Sequence, residues 1–192
     1  ESIFDKLKNV LKVFGDVKIK DSINNVEIEA KQIIYNKNLE QIISKGRTKS
    51  NIKSKYKIET FNLMHDRSLM ELSSKENSKL EDSYGNIFNV EEFKFKINEE
   101  LIIAKELSLF DNQNNKLFLK NAVVDLKNFE IIGKDININF DNSIFGNKNN
   151  EPRLKGKALT YSSTESTIYK GSFTTCKKNK KRCPAWSIYA DE

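Results

Sequence analysis

Three segments of the sequence, AKQIIYNKNLEQI (30–42), TFNLMHDRSLMEL (60–72) and VEEFKFKINEELI (90–102), begin 30 residues apart and share one pattern. Each has an apolar stretch, a polar break and a second apolar stretch, which is typical of two strands joined by a turn. Weaker copies follow in GKDININFDNSIFG (133–146) and GKALTYSSTESTIY (156–169). A unit of about 30 residues cannot bury its own apolar face, so the repeat predicts stacked hairpins with a shared core.

Apolar and polar residues alternate over short stretches elsewhere, as in strands with one buried and one exposed face. These stretches are VKIKD (17–21), VEIEA (26–30), YKIET (56–60), FKFKI (93–97), KLFLK (116–120), DININF (135–140) and WSIYA (186–190). Turn-forming Asn, Asp, Gly and Ser residues separate them. The predicted fold class is therefore all-β, with antiparallel strands stacked in one domain that spans residues 1–192.

The first 14 residues allow a second interpretation, because their apolar side chains also fit one face of an amphipathic helix. The residues at helical spacing are Ile3, Phe4, Leu7, Val10, Leu11 and Phe14. Internal repetition decides between the two, since FDKLKNVLKVFG (4–15) matches YNKNLEQIISKG (35–46). We therefore predict strand, turn and strand here, with an edge strand near the start of the chain.

The chain carries a formal net charge of +6, which suits an anionic ligand, a membrane surface or nucleic acid. Nucleic acid is not predicted, because the sequence has no recognition helix, RNP-type motif or zinc finger. Most lysines alternate with apolar residues and so belong to solvated strand faces. The run KKNKKR (177–182) is denser, and its charge fits lipid phosphates or an anionic membrane.

The sequence gives no sign of an enzyme. It has no G-x-S-x-G elbow, phosphate-binding glycine loop or H-E-x-x-H motif, and we predict no cofactor. Structural zinc needs four ligands, whereas the chain offers two cysteines and His65, so we predict no metal site. We interpret His65 as a strand-end residue, and Glu27 and Glu29 as solubilising groups on one exposed strand face.

Two stretches together resemble a known family. GDVKIKD (15–21) followed by IEAKQIIYNK (28–37) is similar to the repeat of the OstA group of bacterial lipopolysaccharide-transport proteins. The ending KGSFTTCKKNKKRCPAWSIYADE (170–192) resembles the end of the periplasmic domain in the LptD family of outer-membrane lipopolysaccharide-assembly proteins. There T-[ST]-C, a short loop and W-x-I-x-A precede the outer-membrane barrel. The resemblance implies an OstA/LptA-like β-jellyroll of antiparallel strands with an open V-shaped groove.

The resemblance also implies a function and a set of partners. The domain would lie at the periplasmic face of the outer membrane of a Gram-negative bacterium and bind lipopolysaccharide through its lipid A acyl chains. It would receive the lipid from an LptA-like bridge protein by edge-strand pairing, and pass it to its own C-terminal barrel, which holds an LptE-like plug lipoprotein. Two alternatives stay open: an LptA/LptC-like bridge component, or a structural or adhesive β-repeat protein with no lipid ligand.

The apolar sides of the strands are the expected lining of the groove. The predicted lipid-binding residues are Val17, Ile19, Val26, Ile28, Ile33, Tyr35, Ile58, Leu63, Phe93, Phe95, Leu117, Leu119, Ile136, Ile138 and Leu159. Desolvation would hold acyl chains there without fixing their position along the groove.

Two cysteines, Cys176 and Cys183, flank the basic run. From the residues alone they are either a disulfide-closed loop or two separate thiols, since six intervening residues do not fit a CxxC redox pair. The resemblance implies that the cysteine after T-[ST], here Cys176, bonds to a cysteine of the barrel. Cys183 departs from that pattern. We therefore expect a Cys176–Cys183 disulfide, with a bond to the barrel or free thiols as the alternatives.

Overall fold

A computed structural model describes residues 1–110, 115–146, 149–162, 164–178 and 184–191. Its regular structure consists of strands: β1 (Ser2–Asp5), β2 (Val10–Asp21), β3 (Val26–Asn36), β4 (Gln41–Ile52), β5 (Tyr56–Phe61), β6 (Met64–Asp66), β7 (Glu71–Ser74), β8 (Ser78–Glu81), β9 (Ile87–Val90), β10 (Glu92–Lys96), β11 (Leu101–Phe110), β12 (Lys116–Asp125), β13 (Glu130–Asn139), β14 (Arg153–Tyr161), β15 (Ser166–Tyr169), β16 (Gly171–Thr174) and β17 (Ile188–Ala190). The predicted all-β class is confirmed. Over these residues, no helix has the length and apolar character needed to cross a membrane.

Each long strand bends near its middle. The pairing of β2 with β3 shifts register between Phe14 and Val17, and that of β3 with β4 shifts between Ala30 and Gln32. At the first shift Gly15 has φ +105°, a conformation that glycine adopts without steric cost. Such irregularities bend a strand. Each long strand therefore contributes one half to each of two layers.

The strands pair in antiparallel fashion, and each long strand places one of its halves in layer 1 and the other in layer 2. Layer 1 contains 17–21, 26–30, 48–52, β5, β8, β9, 107–110, 116–119, 136–139, 153–156, β16 and β17. Layer 2 contains β1, 10–14, 32–36, 41–45, β6, β7, β10, 101–105, 121–125, 130–134, 158–161 and β15.

The turns explain the repeat. On layer 2 they fall at 37–40, 67–70 and 97–100, which are the polar breaks of the three segments that begin 30 residues apart. In one repeat the chain leaves a layer 2 turn, crosses the bend into layer 1 and turns there. It then crosses back into layer 2 and reaches the next layer 2 turn. The stack closes one round of both layers every 30 residues.

Small residues lie beside larger ones, such as Phe93 and Leu119, on the interior side of the bends, where the two layers approach each other. The buried members of this set are Ala30, Ser44, Thr48, Thr60, Ser74, Ser78, Ala104 and Ala122. Their hydroxyls bond to one another across the layers: Ser44 Oγ is 2.7 Å from Thr48 Oγ1, and Thr60 Oγ1 is 3.0 Å from Ser74 Oγ. Buried hydroxyls need such partners. The two layers therefore meet closely at the bends, which form the vertex of a V, and the hydroxyls named above are hydrogen-bonded there.

Cross-strand neighbours form two interior rows farther from the bends. The layer 1 row is Ile19, Ile28, Ser50, Ile58, Leu80, Phe88, Leu109, Leu117, Ile138, Leu154, Phe173 and Ile188. The layer 2 row is Leu11, Tyr35, Ile42, His65, Leu72, Phe95, Ile102, Val124, Ile131 and Tyr161. The core lies between these rows.

The first strand lies at an edge of the sheet, as the sequence predicts. Within the described part of the chain, β1 pairs with β2 and with no other strand. Glu1 and Phe14 exchange both backbone hydrogen bonds. Because bonding alternates along an antiparallel pair, the N–H groups of Ser2 and Phe4 point away from β2 toward the free edge.

The vertex should not tolerate a larger side chain at Gly156. A Cβ there would lie 2.5 Å from Ile168 Cγ2, whereas at Gly171 it would meet the same atom at an ordinary 3.5 Å. Overpacking of this kind costs about 1–3 kcal/mol. We expect Gly156→Ala to lower the free energy of unfolding by that amount in urea titrations and Gly171→Ala to leave it nearly unchanged. Equal stability of the two variants would contradict the close approach.

Candidate functional site

A cavity of 390 Å³ lies between the two layers in the C-terminal half of the fold. Ten of its thirteen lining residues are apolar or aromatic, and the other three are Asn86, Asn115 and Ser166. The ten are Leu109, Leu117, Phe129, Ile131, Ile138, Phe140, Leu154, Leu159, Tyr161 and Ile168. A mostly apolar concavity of this size with a few polar groups is typical of a site for a small or extended apolar ligand.

The rows place these side chains on opposite walls. Leu117, Ile138 and Leu154 are consecutive members of the layer 1 row. Ile131 and Tyr161 are consecutive members of the layer 2 row and form the other wall. Phe129 packs edge-to-face on Tyr161, with the ring centroids 5.9 Å apart. The cavity is thus the continuation of the space that the core fills elsewhere.

We call the space between the two layers the trough. Its middle is closed by large side chains. Phe88, Phe93 and Phe95 are fully buried there, and the rings of Tyr56 in layer 1 and Phe95 in layer 2 lie 5.4 Å apart. Protein interiors of this kind leave no space for a further chain of atoms. The apolar interior is therefore a packed core in the middle and an open cavity toward the C-terminal strands.

Polar bridges join turns of the two layers on the side away from the bends, which we call the mouth of the trough, and cover this packed core. Lys53, in a turn of layer 1, donates to the carbonyl of Ile97 at 2.9 Å and to Glu100 Oε1 at 3.1 Å, both in a turn of layer 2. The Tyr56 hydroxyl also donates to Glu100. Burial raises the pKa of the Glu100 carboxyl, but the bonds from Tyr56 and Lys53 outweigh it, and its pKa is lowered. We call Glu100 with Lys53 and Tyr56 the central bridge.

A second bridge lies closer to the first strands. Arg67 Nε, in a turn of layer 2, is 3.0 Å from Asp21 Oδ2 at the end of the layer 1 half of β2. Its Nη1 is 2.9 Å from Glu40 Oε2. Burial alone would raise the pKa of Asp21, but the hydrogen bonds from Arg67 and Asn24 lower it. We call Arg67 with Asp21 and Glu40 the N-terminal bridge.

His65 lies beneath the N-terminal bridge and is fully buried. Among the residues that the structure describes, neither ring nitrogen has a hydrogen-bond partner, and Nε2 is 3.8 Å from Asp21 Oδ2. Burial lowers the pKa of the imidazole to about 4. His65 is the middle residue of the short strand β6 (Met64–Asp66) and not the strand-end residue that the sequence predicts, and its side chain belongs to the core.

All fifteen predicted lining residues face the interior. Ten are buried in the core: Val26, Ile28, Ile33, Ile58, Leu63, Phe93, Phe95, Leu119, Ile136 and Leu159. The other five, Val17, Ile19, Tyr35, Leu117 and Ile138, are partly buried against it. Leu117, Ile138 and Leu159 line the cavity. That any of the fifteen contacts lipid stays a prediction.

Seven apolar lining residues were missed from sequence: Leu109, Phe129, Ile131, Phe140, Leu154, Tyr161 and Ile168. Five of them belong to strands whose alternation of apolar and polar residues predicts an inward side, so this pattern could have identified them. Phe140 directly follows β13 and ends the alternating stretch 135–140 on the same side as Ile136 and Ile138, so its direction was available too. Phe129 precedes β13, and its inclusion required the three-dimensional fold.

The predicted Cys176–Cys183 disulfide lies outside the described residues, because Cys183 is not among them. Cys176 is partly buried, and its backbone N–H donates to Thr174 Oγ1 at 3.2 Å. Over the described ranges, no group of three or more His, Cys, Asp and Glu side chains is arranged to hold a metal ion.

We expect His65 to make the fold sensitive to acid. Between its unfolded pKa of 6.5 and its folded pKa of about 4, the unfolded chain takes up a proton that the folded chain refuses. Stability present above pH 6.5 is therefore lost as the pH falls toward 4, by up to about 3 kcal/mol. Urea unfolding of His65→Leu should show a smaller loss over this interval than the parent chain. Asp21, whose pKa is lowered, changes its charge below this pH interval and so does not account for the loss of stability within it. Identical losses in both chains would contradict the assignment of the pH dependence to His65.

Comparisons with known proteins show a likeness to a solved structure. No protein-family profile matches the chain, and no curated protein matches it in sequence. A solved structure is similar: LptH, the LptA-homologous periplasmic component of the lipopolysaccharide transport device of Pseudomonas aeruginosa, at a TM-score of 0.50 and 16% identity over 55% of this chain and 77% of that chain. At this identity the likeness shows the fold alone. The chain has the LptA-like β-jellyroll that the sequence predicts.

Proposed function

We propose that this chain binds lipopolysaccharide, with lipid A acyl chains in the cavity between its two layers. The observation that supports this proposal is the 390 Å³ cavity with ten apolar or aromatic lining residues, in a fold similar to that of a lipopolysaccharide transport component. Burial of acyl chains contributes about 0.8 kcal/mol per methylene. This attraction has no direction, so the site holds a lipid without fixing it at one point along the trough.

We further propose that the chain is the periplasmic domain of an LptD-like assembly protein at the outer membrane. It would take lipid from an LptA-like bridge at β1 and pass it to a barrel with an LptE-like plug. The resemblance of residues 170–192 supports this choice. The fold supports an LptA-like bridge component equally, and expression of the whole gene product would distinguish them by its location in outer-membrane or periplasmic fractions.

Passage along the trough requires the two layers to separate in the middle. The packed residues Phe88, Phe93 and Phe95 block the path in the present state. The central and N-terminal bridges are the polar contacts that hold the mouth above them. We propose that lipid entering near β1 parts these bridges, because acyl chains then replace the protein contacts that are lost between the layers.

Photo-crosslinking tests the lipid site. A benzoylphenylalanine at Leu117 or Ile138 faces the cavity, while the adjacent Lys116 and Asn137 face the other side of the same strands because side chains alternate. We expect ultraviolet irradiation with purified lipopolysaccharide to give a crosslinked band from Leu117 and Ile138 and none from Lys116 and Asn137. A probe at Ile58, in the same row but within the closed middle, should capture less than Leu117.

Two results would count against this site. Equal capture from both strand faces would show contact with the outside of lipid micelles. No capture from Leu117 or Ile138, in variants with unchanged circular dichroism and urea unfolding, would remove the cavity as a lipid site and leave the structural β-repeat interpretation ahead.

Edge pairing with a bridge protein gives a second prediction. The outward N–H of Ser2 is free to pair with an added strand, the β-augmentation mode. Lys12 is unsuitable as a probe of this edge because it pairs with both Ile3 and Ile34. We expect Ser2→Pro to weaken binding of an LptA-like protein at least fivefold in biolayer interferometry without changing urea unfolding, and Lys12→Pro to destabilise the fold. Unchanged binding by Ser2→Pro would exclude β1 as the bridge contact.

A further inference from the structure

Four aromatic rings meet at the C-terminal end of layer 1. Phe173 is the centre of the group, with ring centroids 5.4 Å from Phe145, 6.1 Å from Trp186 and 6.3 Å from Phe140. Phe140 and Phe145 also contact each other edge-to-face at 6.2 Å. These residues come from three separate parts of the chain, so the fold gathers them there.

The group is open to solvent. Trp186 and Phe145 are each 44% exposed, and Ile188 is 61% exposed. Ile188 pairs with Phe173 and ends the layer 1 row. Layer 1 extends by one strand, β17, beyond β15, which is the last described strand of layer 2. Ile144, which precedes Phe145, is 46% exposed as well and adds to the exposed apolar side chains at this end. We define the aromatic end as Phe140, Ile144, Phe145, Phe173, Trp186 and Ile188.

Cations border the aromatic end without carboxylate partners. Among the described residues, no ion pair is formed by Arg153, Lys177 or Lys178, whereas Lys18, Lys57 and Lys105 on earlier strands each pair with a glutamate. The Arg153 guanidinium donates to the backbone carbonyls of Glu151 and Cys176. Lys178 Nζ is 3.0 Å from the Asn139 amide oxygen, next to Phe140.

Two acids lie close to these cations: Glu151 and, within the 140–145 segment, Asp141, whose carboxylate accepts hydrogen bonds from Ser143. Glu151 Oε2 accepts the backbone N–H of Lys178 at 2.6 Å and is not within ion-pair distance of a described lysine or arginine side chain. The three side-chain cations at this border, Arg153, Lys177 and Lys178, are therefore available to an anionic partner.

We propose that the aromatic end and its cationic border are a docking surface for an anionic lipid bilayer. Tryptophan and phenylalanine side chains enter the boundary between headgroups and acyl chains. Lysine and arginine side chains at the same level contact lipid phosphates. An apolar patch and a basic patch together give stable yet reversible attachment where either alone is marginal. The docking does not require lipid in the cavity.

Charge favours a bilayer over a second copy of the chain. A two-fold dimer through this surface would place the same patch against itself. It would then bring Arg153, Lys177 and Lys178 toward their equivalents, and like charges brought together oppose association. A bilayer that contains phosphatidylglycerol instead presents a dense layer of negative charge over an apolar interior.

Trp186 gives a direct readout because it is the only tryptophan in the chain. We expect its emission to shift to the blue when vesicles of phosphatidylglycerol and phosphatidylcholine are added, and brominated acyl chains to quench it. Vesicles of phosphatidylcholine alone should bind at least tenfold more weakly, and added salt should weaken binding to the anionic vesicles because it screens the cationic border.

Paired variants test the surface by vesicle co-sedimentation. Phe145→Ser with Ile188→Ser should reduce partitioning at least tenfold, and Lys177→Glu with Lys178→Glu should abolish the preference for anionic vesicles. Leu69→Ser removes a side chain of 69% exposure in a turn of layer 2 and should bind as the parent does. Retained urea unfolding shows that each variant is folded.

Several outcomes would overturn the proposal. They are no blue shift with anionic vesicles, an equal loss of binding in Leu69→Ser, and a dimer in light scattering that Phe145→Ser disrupts. Failure of the crosslinking at Leu117 together with intact vesicle binding would sink the proposed lipid cavity and leave this docking surface standing.

Discussion

The close approach of the two layers at the bends is the constraint on which the fold depends. Each long strand must turn from one layer into the other, and it does so where small side chains such as Ala30, Ala104 and Ala122 leave room for the facing backbone. Large side chains at the same level, such as Phe93 beside Ala104 and Leu119 facing Gly133, fit because a small residue lies next to each. Replacing that small residue with a bulky one would overpack the vertex. With the vertex fixed, side chains farther along each strand half must fill a wedge that widens toward the mouth.

Side-chain volume then decides where the wedge is full. In the middle, Phe88, Phe93 and Phe95 fill it and are fully buried, and the central bridge covers them. Toward the C-terminal strands the rows carry Leu and Ile, and Gly133 and Gly156 accept Leu119 and Ile168 where a Cβ would clash. The wedge is incompletely filled there, so the same architecture yields a packed core in one region and a cavity in the next.

The sequence predicts most of this architecture because period-2 alternation and a 30-residue repeat have direct physical causes. It identifies the strands, the stacked repeat and the inward face of all fifteen proposed lining residues. It does not separate core from cavity, because residues such as Ile28 and Ile138 have the same local pattern and differ in what faces them from the other layer. The bridges of Glu100 and Arg67 also join turns far apart in sequence, and a charged turn residue carries no sign of its partner.

The central claim is that bound acyl chains reside in the C-terminal part of the trough, while the middle is closed except when lipid passes through it. Methyl nuclear magnetic resonance of the isoleucine-labelled chain with lipopolysaccharide tests it in one sample. The account predicts intermolecular Overhauser effects from acyl methylenes to the methyls of Ile138 and Ile168, which line the cavity. It predicts none to Ile28 and Ile58, which are buried in the core. Effects at Ile28 and Ile58 without any at Ile138 and Ile168 would contradict it.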